Sequence, residues 1–226
     1  MFHLVRAAWL VAKNQQDSIR AEMLREELKN SRIVLAMSQI RTHFVFNILN
    51  AISGMCEYDP QKADETLVMF AHYLRSNINI MEEDKPEAFT KSLEHLEKYV
   101  FLEQVRFGEK IQFAKNIEAD DFKIPPLVLQ PLVENAIRHG LLHKKQGGTV
   151  ILHTWAENGD SIIEISDDGV GFDMANAPGQ ESVGMKNVRF RLKYMVGGTM
   201  DIKSTPGQGT TVTITIPGKH KIQKTE

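Results

Sequence analysis

Cysteine is nearly absent from this chain: of 226 residues only Cys56 carries a thiol. One thiol excludes an intramolecular disulfide and a four-cysteine zinc site, and it fits a reducing compartment. Charge of one sign is not in excess either. Lys+Arg 27 against Asp+Glu 29 leaves a net −2, which argues against a strongly basic nucleic-acid binder. No apolar run reaches the roughly 18 to 20 residues needed to cross a bilayer. The nearest candidate, residues 1–12, is short and interrupted by His3 and Arg6. It reads as the stub of a longer membrane helix or as a leader, and the leader reading lacks a small-residue cleavage site. As written, the chain reads as soluble. Glycine is scarce early: of 15, only Gly54 and Gly108 precede Gly140. The early part therefore lacks turn punctuation and the late part is full of it.

What is present is ordinary for a globular protein, with 42% hydrophobic and 25% charged residues, enough for one large domain or two small ones. Residues 14–30 are rich in helix formers. From 31 to about 55, Ile40, Phe44, Ile48, Ala51 and Met55 form one apolar helical stripe, ended by Asp59-Pro60. A second amphipathic helix over residues 63–80 carries Leu67, Phe70, Leu74 and Ile78. Two helices joined by a short break predict a hairpin, which buries its broad apolar surface most easily by pairing with a second copy in a four-helix bundle. Residues 84–86 read as a linker, and a third helix over 92–107 ends at Gly108. Alternating or β-branched runs over 110–116, 149–156, 161–166, 199–204 and 210–216, with a helix over 127–140, predict an α+β sandwich with a largely antiparallel sheet.

Several residue sets point to chemistry. Gln39, His43, Asn47 and Asn50 fall on one polar helical strip beside the apolar stripe. A neutral imidazole there is a competent nucleophile, and Asn47 is one turn away to orient it. The plainer reading is one surface histidine among eight. Asp167-Asp168-Gly169-Val170-Gly171 follows a strand directly: a carboxylate able to accept from an exocyclic amine, beside glycines that admit a ligand to the backbone. On its own it is an acidic turn. Asn135 offers an oxygen to a hydrated Mg²⁺, with Arg138 and His139 on the same helix. Gly184 opens a further helix whose N-terminus suits a phosphate, and Gly209-Thr210 makes another glycine turn before a strand.

Taken together, Asn135, Asp167-x-Gly-x-Gly, Gly184 and Gly209-Thr210 resemble the N, G1, G2 and G3 boxes of the GHKL (Bergerat-type) nucleotide-binding fold. Residues 39–50 resemble the phosphoacceptor helix of LytS-type sensor histidine kinases, and the 97–108 helix with Arg106-Phe107-Gly108 is also similar. The resemblance covers about residues 31–217. It implies a lead-in over 1–30, a dimerisation and phosphoacceptor hairpin over 31–85, an ATP-binding domain over 86–218 and a tail over 219–226.

Under that resemblance His43 is the phosphorylated residue, Asn135 coordinates Mg²⁺ between the phosphates of ATP, and Asp167 binds the adenine amine. Gly169 and Gly171 floor the adenine pocket, and Gly184, Gly209 and Thr210 also bind the nucleotide. Residues 172–184 form a lid, and Arg138 and His139 lie near phosphate or adenine. The implied partners are a second copy of the chain and a response regulator, with LytTR-like output, and no direct nucleic acid. The implied location is the cytoplasmic face of a membrane, reached only through a sensor segment outside this chain. Two departures stand out. Arg41-Thr42 replaces the subfamily's Asn-Pro, and Phe44 follows the histidine where many other histidine kinases have an acidic residue. The proton acceptor for His43 is thus open between Glu134 and solvent. A GHKL ATPase acting as a conformational clamp is the rival reading. It needs a water-activating glutamate four residues before the box asparagine, where this chain has Pro131. A degenerate, non-catalytic dimerisation module is the third.

Overall fold

The computed structural model describes residues 42–81, 85–173 and 183–218. The expected lead-in helix, the start of the hairpin, the body of the lid and the basic tail lie outside the described residues. No helix among the described residues is long and apolar enough to cross a membrane.

Helix α1 (Thr42–Met55) and helix α2 (Pro60–Met81) are joined by a four-residue turn. Asp59 and Pro60 do more than break the chain. The Lys62 amide donates to Asp59 Oδ1 at 3.1 Å, so Asp59 caps α2, and Pro60 occupies the first helical position, where a missing N–H costs nothing. Phe44, Ile48, Ile52 and Met55 bury one face of α1 against Ala63, Phe70 and Tyr73 of α2. Ile40 of the expected stripe lies outside the described residues; Phe44, Ile48 and Met55 are buried, Ile52 is buried more deeply than Ala51, and on α2 Leu67 is 48% exposed.

Helix α3 (Phe89–Phe107) packs against the hairpin on one side and the remaining domain on the other. It begins three residues earlier than its periodicity predicts. The residues before it, Glu87 and Ala88 (β1), pair antiparallel with Lys123–Ile124 (β3). A short strand therefore stands between the segment read as linker and the helix.

The main sheet has the order β2-β4-β5-β7-β6, from Ile111–Ile117 (β2), Gly148–Glu157 (β4), Asp160–Asp167 (β5), Thr199–Thr205 (β6) and Gly209–Ile216 (β7). Only β2 and β4 run parallel; the other neighbours are antiparallel. Strand alternation sends Val150, Leu152, Ile163, Ile165, Val212 and Ile214 into the core, where they meet Leu129, Ile137, Leu141 and Leu192. The helix expected over 127–140 is three pieces: α4 (Leu129–Asn135), a π turn (Ala136–Gly140) and a 3-10 turn (Leu141–His143). Leu127 takes φ 58, so the helix starts two residues later than the double proline suggests. Helix α5 (Val183–Arg191) completes the helical layer. The architecture is α+β: a helical hairpin followed by helices on one face of a mixed sheet.

Candidate functional site

Glycine contacts and one buried carboxylate build the first half of the site. Asp167, at the end of β5, is 9% exposed and accepts from the Gly169 amide at 2.8 Å. Burial pushes its carboxyl above the usual carboxylate range, while the amides of Gly169 and Thr210 and the Lys144 ammonium oppose that shift. The surrounding backbone comes unusually near. A Cβ on Gly169 would collide with Gly140 Cα, and one on Gly140 would stand 2.6 Å from Asp167 Oδ1. Gly209, at φ 89, crosses Asp167 so tightly that a Cβ would overlap its carbonyl oxygen. Gly171 does the same against Thr205. Thr210 bonds Ser204 through its hydroxyl at 2.9 Å. These contacts bring Asp167, Gly169, Gly171, Gly209 and Thr210 to one end of the sheet beside the π turn. Gly184 is half-buried in the first turn of α5, and most of the expected lid falls outside the described residues.

Asn135 is the last residue of α4 and half-buried, immediately before the helix widens into the π turn that carries Arg138 and His139. Such turns inside helices recur at functional sites. Here the turn seats Gly140 against Asp167. His139 is exposed, and Arg138 pairs with Glu134 at 3.2 Å. Pro131 lies in the first turn of α4, where its lacking N–H breaks no helical bond, and it offers no base.

His43 is exposed on α1, and the Asn47 side-chain nitrogen lies 3.0 Å from Nδ1 and 3.4 Å from Nε2. The imidazole lines a cavity of about 310 Å³. Glu134 and Arg138 line it too, so His43 shares the cavity with helical residues on either side of Asn135. Sequence reading missed Tyr73, Tyr99, Glu103 and Gln130 in this lining, and it had singled out Arg106 and Phe107 only as part of the family resemblance. The one visible signal was Tyr99, Glu103 and Arg106 at i, i+4 and i+7, which looks like any helical ion-pair face. Tyr99 donates to Glu103 at 3.1 Å, and Arg106 donates to Glu103 at 2.7 Å. Gln130 donates to the Tyr73 hydroxyl at 2.8 Å, and its oxygen meets His95 Nε2 at 3.0 Å. Burial lifts the Tyr73 hydroxyl to about 12, so it is a neutral hydrogen-bonding group.

Residues 31–111 match the histidine kinase family, and residues 123–220 match the family of histidine kinase-, DNA gyrase B-, and HSP90-like ATPases. The chain is 32% identical to the protein YwpD of Bacillus subtilis (strain 168) over 89% of its own length and 75% of that protein's. It is 35% identical to the sensor protein LytS of Oceanobacillus iheyensis, over 75% of its own length but only 29% of the relative's. Most of such a relative has no counterpart here. In fold it is similar to the histidine kinase domain from the Erythrobacter litoralis EL346 blue-light activated histidine kinase. That likeness has a TM-score of 0.52 at 15% identity, covering 86% of this chain and 94% of that one. The chain belongs to the histidine kinases, in the LytS-type group, with a GHKL nucleotide-binding domain behind its helical hairpin.

Proposed function

We propose that this chain is the kinase core of a two-component sensor, moving the γ-phosphoryl group of Mg-ATP onto His43 and then to an aspartate of a response regulator. One observation carries the reading. His43 opens into the same cavity as Glu134 and Arg138, on the stretch of helix whose far end, at Gly140, touches the Asp167 carboxylate. Nucleophile and nucleotide cradle thus border two ends of one helical segment.

The cradle suits adenine. Asp167 is a carboxylate with little solvent access, oriented by backbone amides, and glycines leave room for a flat ring against the main chain. Asn135 would give one oxygen to Mg²⁺, whose remaining ligands are phosphates and water, and the metal would neutralise phosphate charge. On the hairpin, the Asn47 carboxamide in its flipped orientation turns its oxygen toward the imidazole. A rotation of the imidazole would let that oxygen accept Nδ1–H and turn the Nε2 lone pair toward the phosphate. Nε2 forms a bond to the γ-phosphorus as the bond to the β,γ-bridging oxygen breaks, and ADP leaves with that electron pair. The ring proton on Nδ1 passes to water or to Glu134. Arg138 meets charge developing on the transferred group. Pro131, at the position where the rival ATPase reading needs a base, favours transfer to histidine over hydrolysis.

Phe46 and Leu49 on α1 and Leu67 and Val68 on α2 are exposed large apolar residues. Their burial, at about 25 cal/mol per Å², supports a homodimer formed through the hairpins.

Titration calorimetry on three variants tests this division of labour. Asp167→Ala should weaken ATP by about 1.5 to 3 kcal/mol, roughly ten- to a hundredfold. Asn135→Ala should lose Mg²⁺-dependent affinity, and His43→Ala should bind ATP as the parent does. Parental affinity in the Asp167 variant refutes the adenine role; lost affinity in the His43 variant refutes the separation of nucleophile from nucleotide.

A further inference from the structure

Arg106 stands at the C-terminal end of α3, outside every nucleotide-binding motif, yet its side chain lines the cavity that holds His43 and Arg138. It is held firmly. Its NH1 donates to Glu103 Oε2 at 2.7 Å, and its Cζ lies 4.6 Å from the Phe107 ring centre and 6.0 Å from that of Phe44. Phe44 is the residue next to the nucleophile. Glu103 is itself fixed by the Tyr99 hydroxyl, and the Tyr99 ring packs on Phe44 at 5.6 Å. Nucleophile, cation and anchor are therefore tied to one aromatic cluster.

The Arg106 and Glu103 side chains are 15% and 4% exposed. Desolvation makes such a pair a weak source of stability, since an apolar pair of similar size does as well. A guanidinium has five N–H donors in a rigid fork, and the bond to Glu103 uses one of them. Arg138, by contrast, is 40% exposed and shares its charge with Glu134. A cation shielded from water acts more strongly on a nearby charge than one at the surface. The transferred phosphoryl group spreads its charge over three equatorial oxygens and needs more than one donor.

We propose that Arg106 is a second phosphoryl-binding cation, supplied by α3, that holds the transferring group together with Arg138 as it passes to His43. The proposal rests on the kinase reading above. It also gives the Tyr99–Glu103 pair a purpose: to keep the guanidinium fork beside the nucleophile.

The test uses the full chain in single-turnover labelling from γ-labelled ATP, with calorimetry in parallel. Arg106→Ala should slow transfer to His43 by roughly 10²- to 10³-fold while ATP affinity stays at the parental value. Millimolar guanidinium should restore part of the rate, which would not follow if the side chain only braced α3. Arg106→Lys keeps the charge and the pair with Glu103 but loses the fork, and should slow transfer roughly tenfold. Transfer at the parental rate in the alanine variant overturns the proposal, as does a loss that follows ATP affinity and ignores guanidinium. If the alanine variant does not fold, the lysine variant decides: full transfer overturns the proposal, and slow transfer at unchanged ATP affinity supports it. An unlabelled parent chain would instead refute the kinase reading itself.

Discussion

His95 should make this fold sensitive to mild acid. The ring is 5% exposed, stacked on Tyr73 at 5.4 Å, with Nε2 against Gln130 and Nδ1 buried without a hydrogen-bond partner. Burial, with help from Lys98, lowers its pKa from 6.5 to about 4, although Gln130 and Glu94 pull the other way. The unfolded chain therefore takes up this proton near pH 6.5 and the folded chain only near pH 4. Between those values the unfolded state binds more protons, so stability falls as the pH falls. The loss is about 1.4 kcal/mol from about pH 7.5 to 5.5, and about 3 kcal/mol once pH 4 is reached. Asp167 and Glu103, both raised by burial, act with the opposite sign at the acid end, where the folded state holds their protons more tightly. A His95→Gln variant isolates the histidine contribution. Urea unfolding followed by tryptophan fluorescence, at several pH values, should show the parent losing stability over this window and the variant losing about 1.4 kcal/mol less. Parallel pH profiles for the two proteins would refute the reasoning.

Two further outcomes follow from the site. Gly169→Ala forces a methyl against the Gly140 backbone, so it should cost about 1 to 3 kcal/mol and weaken ATP binding by displacing Asp167. An unchanged melting temperature and unchanged affinity would contradict that packing. Because His43 shares a cavity with Glu134 and Arg138 of its own chain, transfer should occur within a subunit. In mixed dimers of His43→Ala and Asn135→Ala chains neither chain should be labelled, and label on the Asn135→Ala chain would show transfer between subunits.

The five strands of the main sheet were legible because alternation such as Ile163, Ile165 and Val212, Ile214 is a period-two signal that burial on one face imposes. Helices α1 to α3 were legible for the same reason at period 3.6. The β1–β3 pair was not, since two residues carry no period. The π turn after Asn135 was hidden too: nothing in Ala136-Ile137-Arg138-His139-Gly140 departs from a helical pattern. Within the site, Asp167 and its glycines announce themselves because close backbone approach excludes any side chain. Tyr73, Tyr99, Glu103 and Gln130 do not, because their meeting depends on how three helices pack.

Acceptance of phosphate from ATP by His43 is open to one direct measurement. Incubating the full chain with γ-labelled ATP and Mg²⁺, then locating the label and testing its stability, addresses it directly. The expected result is label on His43 that is lost in acid, kept in alkali and absent from the His43→Ala chain. Label of parental intensity in that variant, or acid-stable label elsewhere, would contradict the account.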